Sequence, residues 1–523
     1  MPAYPEEVFA AAVDPVASGV GGEAALFAEY AWTGRTIEYH RRRIQERYGT
    51  RPAAEDGEDK LAEWPAEEVC PVQADRGELA AVSARAASRP SSAPSAITTG
   101  SGHGADPFPT RGRDDRPMTP DPSAATARPP ARSSRLPALD GLRGVAVIGV
   151  LLFHTGNLDG GFLGVDLFFA LSGYLITGLL LKEVKTAGRV SLVSFWGRRL
   201  RRLLPALVVV LVCVTLAVRA VGPPQLVRTT LADGPWVQLN LLNWHLLAES
   251  AGYWNRFGSE RVFEHLWSIA VEEQFYLVWP LLVALVALGG KRVGDRVALL
   301  AAVVSLASLV WMAVLVDPAD PTRVYTGTDT RAFSLLLGAL VATARVHDLL
   351  ERTVERAPRA VSGAAAAAAA AVGALWLLAD GTTSLWLYRG GLFAHALACA
   401  LLIGLCTQAP RGPVPRILSW APLRWTGTIS YSLYLWHWPV IVLLSPEATG
   451  LSGWWWTALV CAVSTCLAVL STHLVENPVR FRASWASGGR GALAFAAVMA
   501  ALALVWVAVP APAPPAVDVT ALD

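Results

Sequence analysis

Arg143 and His154 stand eleven residues apart in a segment that is otherwise apolar. At 3.6 residues per turn that is about three turns, so both side chains fall on one helix face, roughly 16 Å apart along the axis. An ionisable group inside a bilayer is costly and marks function by default. Two on one stripe predict a polar path that begins near one membrane surface and ends deeper. His154 carries the chemistry: near pH 7 a neutral imidazole takes a proton from a hydroxyl, or is itself a nucleophile. Arg143 keeps its proton and is read as an anchor for an anionic group.

A second constellation runs from His265 to Tyr276. On a helix, Ser268, Glu272 and Tyr276 share one face at i, i+4 and i+8. Glu273 points elsewhere, so one carboxylate is expected to reach a cavity while the other pairs away from it; either Glu272 or Glu273 supports the base or holds acceptor hydroxyls. Asp166 follows the turn Gly160–Gly164, near the His154 end of the preceding helix. It either orients the imidazole as a triad carboxylate does or is a helix N-terminal acid favoured by the dipole. Ser172 and Tyr174 lie further along that helix, where small and polar residues line helix contacts. Tyr434 and His437, three apart, share a face, and Pro439 loosens their helix and frees carbonyls. The loop Phe195–Pro205 holds Arg198, Arg199, Arg201 and Arg202. Such forks suit phosphates, and basic loops also mark the cytoplasmic side.

These groups need a membrane frame. The chain has 523 residues, 53% hydrophobic and 16% charged, with mean hydropathy +0.39; soluble proteins carry about a quarter charged residues. The expected fold class is all-α, a polytopic membrane bundle of ten core transmembrane helices plus one. Spans are expected at 140–156, 161–181, 203–221, 268–288, 297–316, 330–345, 361–379, 387–407, 427–445, 454–475 and 491–509. Basic loops at Arg198–Arg202, Lys291–Arg296, Arg345–Arg359, Arg411–Arg424 and Arg480–Arg490 all fit the cytoplasm if 228–247 is re-entrant or interfacial. The six cysteines and scattered histidines show no metal-ligand spacing, so no metal is expected. No Walker or dinucleotide-binding glycine pattern occurs.

Six blocks, Ala138–His154, Gly160–Ile176, Phe195–Pro205, His265–Pro280, Tyr431–Pro439 and Val475–Phe481, together resemble the integral-membrane acyltransferase family 3, whose members O-acylate cell-surface sugars and some small molecules. The resemblance covers about 136–482. It implies a ten-helix catalytic core, with acyl-CoA, most simply acetyl-CoA, as donor substrate and no permanently bound cofactor. It further implies a saccharide or glycolipid acceptor and a bacterial plasma-membrane location. His154, Arg143, Asp166, Glu272 and Glu273 are the expected catalytic group. Arg143, Arg198, Arg201 and Tyr174 are the expected donor contacts, with Arg198 and Arg201 matching the family's paired arginines. Ser172, Ser268, Tyr276, Tyr434 and His437 are the expected acceptor contacts. Some relatives carry a hydrolase domain after an eleventh helix; here 483–523 reads as that helix and a short Pro/Ala-rich tail, so the membrane part is expected to manage the whole reaction.

Residues 1–88 read as a cytoplasmic extension with no signal peptide at its start. The stretch Leu26–Arg51 with Trp64–Pro71 is similar to an N-terminal domain of replicative-transposon transposases. Residues 89–135, rich in Pro, Ser, Ala, Thr and Arg, read as a disordered linker on the cytoplasmic side. Two rival functions are a transporter or channel that uses Arg143, His154 and the glutamates as an ion path, and a membrane sensor whose N-terminus touches DNA through Arg41–Arg43. Internal repeats would favour transport, and none is visible. Nothing in the sequence fixes an oligomeric state.

Overall fold

The computed structural model describes residues 136–251, 253–254, 261–482 and 488–512. These lie in one compact unit, Ala127–Asp523. The transposase-like stretch, the 89–135 linker and the tail beyond 512 fall outside the described residues.

Helices form not only where the apolar runs predict long ones but also in the weak segment 228–247 and at Ala344–Arg356, within the stretch expected as a basic loop. They are α1 Pro137–His154, α2 Gly164–Ala187, α3 Leu192–Val221, α4 Pro224–Gln238, α5 Leu242–Ala248, α6 Trp267–Leu288 and α7 Val293–Leu315, then α8 Thr328–Val341, α9 Ala344–Arg356, α10 Pro358–Leu378, α11 Gly391–Gln408, α12 Ala421–Leu443, α13 Gly453–Ser471 and α14 Gly488–Ala508. Among the described residues, nine helices are long and apolar enough to cross a membrane; the pair α8–α9, bent by 60°, raises this to ten. Helix α12 has the length, 23 residues, but not the apolarity. Its serines, threonines, tyrosines, Arg424 and His437 lower the mean, and Ser430, Ser432, Tyr434 and His437 of that polar set are buried in protein.

The weak segment 228–247 is not one helix. It breaks at Leu239–Leu241 into α4, 15 residues, and α5, 7 residues. At 1.5 Å per residue neither covers a hydrocarbon core of about 30 Å.

Helix α12 makes the most extensive helix contact in the bundle, against α1. The backbones approach so closely that only glycine fits: a Cβ at Gly427 would lie 1.7 Å from the Asp140 carbonyl oxygen, and one at Gly144 would lie 2.2 Å from that of Leu423. Small residues permit this approach in membranes. Asp140 meets Gly427 at one end and His154 meets His437 at the other, so α1 and α12 run parallel. Parallel packing requires an odd number of crossings between them. Helices α2, α3, α6, α7, α10 and α11 supply six, so the parallel packing calls for one further crossing, from either the broken segment α4–α5 or the bent pair α8–α9; only α8–α9 has the combined length and apolarity.

Helix α2 packs on α8 in the same manner, with Gly173 against Leu335 and Gly338 against Ala170. One charged pair is sealed in that contact: Arg331 donates to Asp166 Oδ1 at 2.7 Å, and both side chains are fully buried.

Candidate active site

Pro439 has no N–H, so the carbonyl of Leu435, four residues earlier, loses its helical donor. The His265 imidazole takes that place, with Nε2 3.3 Å from the Leu435 oxygen. One residue back, the Tyr434 carbonyl accepts from Nδ1 of His437 at 2.6 Å. The other nitrogen of His437, Nε2, lies 3.0 Å from Nδ1 of His154 at the end of α1. Trp438 lies against the His154 ring, 4.9 Å between centroids, and its indole donates to the Arg261 carbonyl. His437 is fully buried and His154 half-buried.

One turn back along α12 from His437, Tyr434 lines a cavity with about 560 Å³ of empty space, mouth included, that neither histidine lines. Arg143, Arg199, Arg202, Ser172, Ser268, Glu272, Tyr276 and Tyr434 are among its lining residues. Ser172 donates to Glu272 Oε1 at 2.8 Å; the Tyr276 hydroxyl lies 2.9 Å from Ser172 Oγ and 3.2 Å from Glu272 Oε2. Arg199 stacks over the Tyr276 ring, 5.1 Å from its centroid. Nε of Arg143 and of Arg202 are buried without a hydrogen-bond partner. Three guanidiniums facing one carboxylate give the cavity a positive balance suited to an anionic ligand. Tyr434 joins cavity to histidines. Its hydroxyl meets Ser268 Oγ at 2.6 Å and the His265 carbonyl at 2.9 Å, and its own carbonyl holds His437.

The structure therefore brings together Arg143, Ser172, Ser268, Glu272, Tyr276 and Tyr434 around one cavity; His154 and His437, bonded to each other, do not line it and connect to it through Tyr434. Several other expected residues lie elsewhere. The Asp166 carboxylate is bound by Arg331 and by Ser334 at 2.6 Å, with His395 Nδ1 at 3.7 Å, whereas the imidazole bonded to His154 is His437. A fully buried carboxylate is spent on the nearest cation, which is Arg331. Arg198 and Arg201 line a separate apolar groove between α3 and α14, and Arg198 pairs with Glu183 at 3.5 Å. The helical turn sends Arg199 and Arg202, not Arg198 and Arg201, into the cavity. Glu273 is not among the lining residues, and neither is Tyr174, which packs against the core. Nor is the stripe from Arg143 to His154 polar throughout: Val147 and Val150 between them are fully buried. The polar route crosses from α1 to α6 and α12.

Sequence reasoning included His265 and Trp438 in its motif blocks without giving either a site role, and passed over Arg331 and His395. Arg331 and His395 carried the same signal as Arg143, an ionisable group within an apolar run.

A polytopic helix bundle with a hydrogen-bonded histidine pair linked through Tyr434 to a cationic cavity defines a membrane protein built for polar chemistry inside the bilayer. The sequence profile of an acyltransferase domain matches residues 136–473, and the chain belongs to acyltransferase family 3. It is 39% identical over 355 residues to YrhL of Bacillus subtilis, 38% identical over 353 residues to the peptidoglycan O-acetyltransferase OatA of Listeria monocytogenes, and 36% identical over 349 residues to the O-acetyltransferase OatA of Staphylococcus aureus. Each alignment covers 66% of this chain and 55%, 56% and 57% of the respective relative. The chain thus spans a little over half the length of these relatives. No solved structure matches it.

Proposed function

We propose that this protein is a membrane O-acetyltransferase that moves an acetyl group from acetyl-CoA to a hydroxyl of a cell-wall saccharide. The observation that carries the reading is the His154–His437 bond, 3.0 Å long, linked through Tyr434 to a cavity lined by Arg143, Arg199 and Arg202. The names of the Listeria and Staphylococcus relatives supply the acceptor class.

The three guanidiniums hold the phosphate-bearing donor at the cytoplasmic mouth, since bidentate forks suit phosphates and the charged nucleotide does not cross a bilayer. The acyl thioester reaches inward toward Tyr434 and the histidines. His154 Nε2 takes the proton of the acceptor hydroxyl as its oxygen bonds to the thioester carbonyl carbon. The tetrahedral intermediate collapses, the C–S bond breaks, and the departing thiolate receives that proton from the imidazolium. Glu272, held by Ser172 and Tyr276, accepts from hydroxyls that approach the cavity.

The test uses purified full-length protein in proteoliposomes with radiolabelled acetyl-CoA and solubilised glycan strands. Alkali-labile label on the glycan is expected. Absence of any transfer, together with ion or solute flux through the same proteoliposomes, would move the assignment to a transporter.

A further inference from the structure

We infer that His437 is a positioning residue that decides which nitrogen of His154 is the base. The inference rests on the transfer reading above and adds a role that neither the cavity nor the relatives' names assign.

A carbonyl oxygen only accepts hydrogen bonds, so the hydrogen between His437 Nδ1 and the Tyr434 carbonyl belongs to His437. In the neutral ring the lone pair is then on Nε2. That atom faces His154 Nδ1 at 3.0 Å. Two lone pairs cannot bond, so Nδ1 of His154 carries the hydrogen and donates it. The basic lone pair of His154 is thereby placed on Nε2. In the neutral pair no other proton arrangement satisfies both contacts.

The direction of the relay is fixed by backbone. Tyr434 is clamped at its hydroxyl by Ser268 and the His265 carbonyl, and its own carbonyl cannot reverse polarity. The parallel contact of α1 and α12, tight at Gly427 and Gly144, holds the two rings in register ten residues further on in each helix. His437 thus does what a triad carboxylate does for tautomer and orientation, but without a second buried charge. That matches the engagement of Asp166 by Arg331 and Ser334.

The experiment compares His437→Phe and His437→Gln in the full-length protein, with acetyl-CoA as donor and solubilised glycan strands as acceptor. Phenylalanine fills the space but cannot accept; glutamine places an amide oxygen near the position of Nε2 and keeps a donor for the carbonyl. For His437→Phe the kcat should fall about 100-fold, within the range a general base contributes, with the donor KM changed less than about twofold. His437→Gln should recover most of that loss. Solid-state nitrogen NMR of the wild-type protein, with His154 assigned through His154→Ala, should show His154 protonated at Nδ1. Wild-type kcat in His437→Phe, no recovery in His437→Gln, or a His154 ring protonated at Nε2 overturns the inference. Full transfer by His154→Ala would instead remove the transfer reading itself.

Discussion

His154 and His437 are separated by 283 positions in sequence and by 3.0 Å in space. Neither histidine stripe predicts the other; the glycine contact between their helices brings them together. Gly427→Leu should therefore damage the site from a distance. Its Cβ alone would lie 1.7 Å from the Asp140 carbonyl, so the helices must separate or shift. Overpacking of this kind costs about 1–3 kcal/mol or more. We expect a lower unfolding temperature in detergent and loss of transfer; a variant with unchanged melting and turnover would show that α1 and α12 do not depend on this approach.

The sealed pair Asp166–Arg331 gives a double-mutant test. Removing one partner leaves a buried charge without its counter-ion, which costs about 3–5 kcal/mol. Asp166→Asn and Arg331→Met should each lower stability strongly, and the combined variant should lose clearly less than their sum. Thermal unfolding of the purified protein measures all three. If the two single losses simply add, the ion pair is not what joins α2 to α8.

The four arginines expected in a loop lie within helix α3 and so divide into two faces. Arg199 and Arg202 line the cavity, whereas Arg198 and Arg201 line the groove toward α14. Arg199→Gln and Arg202→Gln should each raise the donor KM about 10-fold or more, as expected when a charged hydrogen bond of about 1.5–3 kcal/mol is lost. Arg198→Gln and Arg201→Gln should change it much less. Equal effects from both pairs would place the donor across α3 rather than inside the cavity.

Much of this architecture is legible in the sequence because bilayer physics is strict. Apolar runs of about 20 residues give the helices, and the parity of basic loops puts 228–247 outside the set of crossings. Glu272, Ser172 and Tyr276 meet as their positions on two helices suggest. What sequence does not carry is pairing across long separations. Asp166 lies close to the His154 hairpin in the chain, yet Arg331, 165 residues away, holds it. The choice of Arg199 and Arg202 over Arg198 and Arg201 depends on about 100° of helical phase, which a run of arginines does not reveal.

Topology is open to direct measurement. Single cysteines engineered into a cysteine-free background at 291–296, 195–200 and 350–357 should react with a membrane-impermeant thiol reagent only after the membrane is opened. Positions 448–452 should react in intact cells. The parallel packing of α1 and α12 requires that one, and not both, of 228–247 and α8–α9 crosses. Labelling of 291–296 from outside would mean that 228–247 crosses.

The central claim is that His154 performs the proton transfer of an acyl transfer reaction. The most direct measurement is the rate at which purified His154→Ala protein moves radiolabelled acetyl from acetyl-CoA to glycan, at matched protein amount and matched melting temperature. A methyl group cannot take a proton, so the rate should fall by about 10²–10⁴-fold while acetyl-CoA still binds through Arg143, Arg199 and Arg202. A His154→Ala protein that transfers acetyl at the wild-type rate would contradict the account.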